Sequence, residues 1–234
     1  MRVASMFCAL GLAFAGGAHA QPVRVPFIGC SSDGQLGPQT APKDDGKAPE
    51  LSAALAARLG WYVGNYVKGV LAPRGWRCIE LYGSNGATLL VTPARLGDAS
   101  KGPVAGPAVQ LSVSVGDTSG RFEAARIAAR LFPRRRAFVD AVIAEKLEPK
   151  ADFVFGPYPD DRIRRLGPDV VAFVTPARKD GMGTMSRLAK SGEPIEGLAV
   201  MDEDNDATVL AVRLAAAQHD LALAIVDVAE QGTR

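Results

Sequence analysis

The sequence is short of the residues on which most metal and nucleophilic chemistry depends: it has two histidines and three cysteines among 234 residues, and aromatics make up 6% of it. His19 and Cys8 fall within the first twenty residues, and the few that remain do not furnish the four ligands of a structural zinc site. There is no Gly-rich phosphate loop, no His-Glu-x-x-His, no Cys-x-x-Cys and no dinucleotide fingerprint, so no cofactor is expected. Charge of one sign is also missing, with 27 basic side chains against 25 acidic ones. Nucleic-acid binders carry a strongly basic balance and interleave aromatics for stacking, so nucleic acid is not an expected partner. After residue 20 no segment reaches about 20 apolar residues without a charge or a proline, and no transmembrane span is expected. A hydrophobic content of 47% excludes a disordered tail. The length suits one large domain with a self-supporting core.

The first twenty residues carry the clearest signal. Arg2 precedes an apolar run from Phe7 to Ala18, followed by the small-x-small triplet Ala18-His19-Ala20. That order is the pattern of a secretory signal peptide over residues 1–20, with cleavage near Ala20 and Gln21 first in the processed chain. Cys8 would leave with the peptide. The expected address is the periplasm or the exterior, as a soluble protein.

Export makes the two remaining cysteines informative. Cys30 and Cys78 form an even pair in a compartment where disulfides persist, and they are expected to be bonded. In the chain-entropy model such a bridge is worth on the order of 4 kcal/mol. It would tether a Pro/Gly-rich N-terminal arm, residues 21–49, to a single α+β domain over residues 50–234. Trp61, Tyr62, Tyr66, Trp76 and Tyr82 gather in the same third of the chain, either as core around the bridge or as a groove lining.

Periodicity gives the rest of the fold. Leu51, Leu55 and Leu59 after Pro49 predict a helix over Glu50 to Gly64. Short apolar runs predict strands over Val67–Ala72, Trp76–Tyr82 and Ala87–Val91, the last two joined through Asn85-Gly86 as a hairpin. Over Ala108–Val115 the residues alternate: Val109, Leu111, Val113 and Val115 on one face, Gln110, Ser112 and Ser114 on the other. Such alternation implies one buried face and one more polar face. Helices are predicted over Gly120–Leu131 and Arg134–Leu147, strands over Val170–Thr175, Ile195–Met201 and Thr208–Leu214, and a closing helix over Ala217–Glu230. Connections this short favour a largely antiparallel sheet packed by three to four helices.

Three groups of residues are candidates for function. Arg121, Arg126, Arg130, Arg134, Arg135 and Arg136 share their stretch with Glu123 as its only acid, and Arg162, Arg164 and Arg165 follow. Arg126, Arg130, Arg134, Arg135 and Arg136 are the anion-binding candidates, since arginine forks suit phosphate and carboxylate; the alternative is a solvated helix face with ordinary ion pairs. Aromatics do not interleave with either cluster in a stacking pattern along the sequence. Ser119, in a strand-to-helix turn, is the best-placed nucleophile, with His219 as the available base, although a cap is the plainer role for a serine there. Asp202, Asp204 and Asp206 alternate as in the first half of a calcium loop, but the Gly and Glu of the second half are replaced by Ala207 and Arg213.

The runs Val25-Pro26-Phe27-Ile28-Gly29-Cys30 with Asp33-Gly34, Leu71-Ala72-Pro73-Arg74-Gly75-Trp76 and Phe155-Gly156-Pro157-Tyr158-Pro159 resemble a group of exported bacterial proteins with no assigned activity. The resemblance implies export and a single fold, and it transfers no catalytic residue. The sequence therefore points first to a non-catalytic binding or envelope-associated protein, whose partner is an anionic envelope component or a small ligand. A serine-type hydrolase using Ser119 and His219 is the alternative.

Overall fold

The computed structural model describes residues 21–99 and 102–233. The expected signal peptide, with Cys8 and the cleavage point, lies outside the described residues.

Four short strands open the chain: β1 (Val23–Arg24), β2 (Phe27–Gly29), β3 (Ser32–Gly34) and β4 (Glu50–Leu51). After helix α1 (Ala53–Arg58) come β5 (Leu59–Val63), β6 (Val70–Pro73), β7 (Arg77–Gly83) and β8 (Gly86–Thr92). A single helical turn, α2 (Leu96–Ala99), precedes β9 (Ala108–Ser114) and the helices α3 (Arg121–Leu131) and α4 (Arg136–Ala144). The last third holds β10 (Arg162–Arg165), β11 (Val170–Thr175), β12 (Ile195–Met201), β13 (Ala207–Arg213) and the closing helix α5 (His219–Gln231).

Eight of these strands make one sheet in the order β10-β11-β12-β13-β9-β8-β7-β3, antiparallel throughout except for the β3–β7 pair. Strands β2, β5 and β6 form a second small sheet, and β1 pairs with β4. The architecture is thus α+β around a large, mostly antiparallel sheet, as the periodicity implies. At the β7–β8 hairpin Gly83 faces Gly86 across Ser84 and Asn85. Gly86 sits at φ 133°, and a Cβ there would overlap the Val113 carbonyl of β9, so the turn requires glycine.

Each face of the sheet has its own cover. On one, Leu210 and Val212 of β13 meet Leu221, Ile225 and Val226 of α5, and the small sheet packs alongside through Leu59 and Tyr62. On the other, Ala124, Ala128 and Leu131 of α3 lie on Phe173, Ala199, Met201 and Val209. The small alanine side chains let α3 sit close to the strands.

Two local differences from the sequence reading have clear causes. The helix predicted to Gly64 ends at Arg58, because Gly60 disfavours a helix, Trp61, Tyr62 and Val63 favour an extended strand, and β5 pairs with both β2 and β6. Strand β10 was invisible to hydrophobic patterning because three of its four residues are arginine. It is an edge strand, where charged side chains are tolerated and protect the open edge.

The N-terminal stretch is tied in near the Cys30–Cys78 disulfide, whose Cα atoms are 5.4 Å apart. Two residues along from each cysteine, Ser32 meets Glu80, a carboxylate with no solvent exposure. Its Oε2 accepts from the Ser32 hydroxyl at 2.6 Å and the Asn65 N–H at 2.6 Å, and its Oε1 from the N–H groups of Tyr66 and Val67, each at 2.9 Å. Gly64 lies flat against this carboxylate, which a Cβ would displace. Of the clustered aromatics, Tyr62 is fully buried, while Tyr66 is exposed and stacks on Tyr82 with ring centroids 4.3 Å apart.

Candidate functional site

Helix α3 covers β11, β12 and β13, and among the described residues no helix covers the adjoining part of the same face on β8 and β9. There the polar side of the β9 alternation comes to the surface. Thr88, Gln110, Ser112 and Ser114 form the floor of a cleft of about 730 Å³, walled by the first turns of α3 and by the turn around Met182–Met185. Leu81, Phe122 and Ile127 add apolar surface. Such a mixture of apolar wall and convergent polar groups is the usual make-up of a ligand site.

Gln110 is the most informative of these residues. It is only 3% exposed, and its Oε1 accepts the Arg187 backbone N–H at 3.0 Å. Its Nε2 makes no hydrogen bond to the described residues. That nitrogen is not fully buried, so the N–H₂ is a donor presented to the cleft.

The charges of the cleft are balanced. Arg126 reaches Glu148 at 3.0 Å, Glu123 at 3.4 Å and Asp152 at 3.5 Å, and Arg187 lines the opposite wall. Burial holds the Glu123 carboxyl above its ordinary value, against the pull of Arg126. A carboxylate whose folded value is raised binds its proton more tightly when folded, so that contribution to stability is present at low pH and is lost as pH rises. Glu123→Gln imitates the protonated form. We expect this variant to melt no lower than wild type at pH 7, with a gain of at most about 0.5 kcal/mol because the side chain is partly solvated. The gap should close as pH falls toward the ordinary carboxylate range. A variant clearly less stable at pH 7 would show that the pair with Arg126 outweighs burial.

The structure does not bring Ser119 and His219 together. Ser119 follows the end of β9 and lines the cleft, whereas His219 follows the end of β13, and those strands are antiparallel neighbours with Arg213 opposite Ala108. The two residues therefore lie at opposite ends of strands about 20 Å long, at the starts of helices that pack on opposite faces. The partner of His219 is Glu196, with Nδ1 at 3.2 Å from Oε1. At the serine turn it is Thr118 whose hydroxyl accepts the Gly120 N–H at 3.1 Å.

The arginines are turned mainly toward the protein's own groups. Besides Arg126, Arg135 binds Asp169 at 2.8 Å, Arg136 binds Asp140 at 2.9 Å, and Arg130 donates to the Gly156 carbonyl at 3.3 Å. Arg134 is exposed. In the second cluster Arg164 binds Glu230 at 3.0 Å and Arg165 donates to the Leu131 carbonyl at 2.6 Å. Aromatic rings that the sequence does not interleave with the arginines reach them in the fold. Phe153, Tyr158 and Phe155 lie under Arg126, Arg130 and Arg136, with centroid distances of 5.7, 3.9 and 4.0 Å. The partners come from a segment some twenty to thirty residues further on, a contact that linear spacing does not reveal.

The acidic hairpin serves its own turn. Asp202 Oδ1 accepts from the N–H groups of Asp204 at 3.1 Å and Asp206 at 2.9 Å, and Asp206 Oδ1 accepts from Gly116 at 2.7 Å. Asn205 takes the left-handed conformation that such turns need, at φ 64°. Among the described residues no three His, Cys, Asp or Glu side chains group as a metal site, and no helix is long and apolar enough to cross a membrane.

Compared with protein-family models, with curated proteins and with solved structures, the sequence finds no match.

Proposed function

We propose that this is an exported, non-catalytic binding protein whose cleft over β8 and β9 takes a polar ligand without net charge. The observation that carries this reading is the buried Gln110, with one amide oxygen committed to the protein and its N–H₂ open to the cleft. Around it, Thr88, Ser112 and Ser114 offer hydroxyls, and the opposed Glu123, Glu148, Arg126 and Arg187 leave no excess charge on the walls. An anionic partner is less favoured than the arginine count suggests, because an anion would have to displace acids already paired to those guanidinium groups. Hydrolysis at Ser119 would need a base other than His219. Export rests on the signal-like start and agrees with the Cys30–Cys78 bond.

Thermal-shift titration tests the proposal with neutral oligosaccharides, capped dipeptides and polyanions as separate panels. A neutral compound should raise the melting temperature, with stabilisation of about 2.7 kcal/mol at a hundredfold excess over Kd. Gln110→Leu and Thr88→Val should each weaken that response while the unliganded protein stays folded. A response confined to polyanions would return the ligand site to the arginines, and turnover of the compound would make the protein an enzyme.

A further inference from the structure

A second pocket lies on the opposite face of the sheet from the cleft, where β12 begins and α5 starts. It measures about 290 Å³, and most of its wall is apolar: Pro194, Leu214 and Ala215 among others. Its acidic side chains are the carboxylates of Glu193 and Glu196, with the imidazole of His219 beside them.

Glu196 is an unusual residue to find there. It is 7% exposed on a central strand, and its one ion-pair neighbour among the described residues is His219, at 3.2 Å, whose side chain is 57% exposed. Buried carboxylates are ordinarily paired with a cation or several donors, as Glu80 is. Burial pushes the Glu196 carboxyl up, His219 and Arg162 pull it down, and Asp227 raises it again, so its neighbours leave it short of positive charge.

We propose that this pocket binds a primary alkylammonium group, the ammonium on Glu196 and Glu193 and the alkyl chain against Pro194, Leu214 and Ala215. An ammonium supplies three donors and the missing charge in one compact group, while a short alkyl chain suits the apolar wall. The same chemistry is offered by a free amine and by the side chain of a lysine in a polypeptide. This proposal is independent of the cleft.

His219 is the only histidine in residues 21–234, so its imidazole resonances give an unambiguous NMR probe beside the site. Titration of the purified protein with n-butylammonium chloride should shift them saturably, and n-butanol at equal concentration should not. Glu196→Gln should weaken binding by about thirtyfold or more. Ala215→Leu, which narrows the pocket and leaves both carboxylates in place, should also abolish it, and it guards against a fold defect in the first variant. Acetyl-lysine methylamide binding as well as n-butylammonium would assign the site to polypeptide lysines; exclusion of that compound alone would assign it to free amines. No saturable shift with n-butylammonium in wild type, or an equal response in Glu196→Gln, would overturn the proposal.

Discussion

Replacing Glu80 by alanine is expected to destabilise the protein by about 3–5 kcal/mol, lowering the melting temperature by roughly 10–15 °C for a chain of this size. The carboxylate accepts from the Ser32 hydroxyl and from three successive backbone N–H groups, at Asn65, Tyr66 and Val67. Alanine would leave those donors facing a dry cavity. Glutamine fills nearly the same volume, yet its N–H₂ would point donors at donors, so Glu80→Gln should lose at least about 2 kcal/mol. Full tolerance of glutamine in a melting experiment would mean that shape alone matters here. The disulfide holds the same junction, with Cys30 two residues from Ser32 and Cys78 two residues from Glu80. Reduction and Glu80→Ala should therefore combine less than additively, by about 1 kcal/mol, since either loss frees much of the same N-terminal stretch. Strict additivity would show that the two clasps act separately.

What could be read in advance follows from how each feature is encoded. The large sheet and α3 were legible because their residues repeat at periods of two and of about 3.6, and burial enforces that repeat. The alternation of β9 even anticipated the polar floor of the cleft, since Gln110, Ser112 and Ser114 all fall on one side. It did not say which face α3 would leave uncovered, because that depends on where a helix docks across distant strands. The small N-terminal strands were not legible: β2 and β3 hold three residues each and pair in parallel with β5 and β7, so no turn announces them. Glu80, Glu196 and Arg213 share a missed signal. Each is a charge flanked by uncharged, mostly apolar neighbours, in Cys78-Ile79-Glu80-Leu81, Ile195-Glu196-Gly197-Leu198 and Ala211-Val212-Arg213-Leu214. A charge so placed must find partners in the interior, and only the tertiary structure names them.

Arg213→Met should cost about 4 kcal/mol and also weaken ligand binding in the cleft, although Arg213 does not line it. Arg213 is 1% exposed and, among the described residues, has no carboxylate as a hydrogen-bond partner; it donates to the carbonyls of Val104, Gly106 and Ala189. Burial lowers its proton affinity, but a guanidinium stays charged. Those carbonyls belong to two connections that also bind each other: Val104 N–H donates to Arg187 at 2.7 Å, and Ala189 N–H donates to Val104 at 2.9 Å. The Arg187 N–H in turn sets the Gln110 amide. Methionine fills the channel but leaves the carbonyls unpaired, so both connections should loosen and Gln110 lose its fixed orientation. Lysine offers a point charge in place of a fork, and Arg213→Lys should recover less than half of the stability. Melting temperature and cleft affinity should fall together in Arg213→Met. A variant within about 1 kcal/mol of wild type would remove the pin. Lost stability with undiminished affinity would instead show that Gln110 is held by Arg187 without help from Arg213.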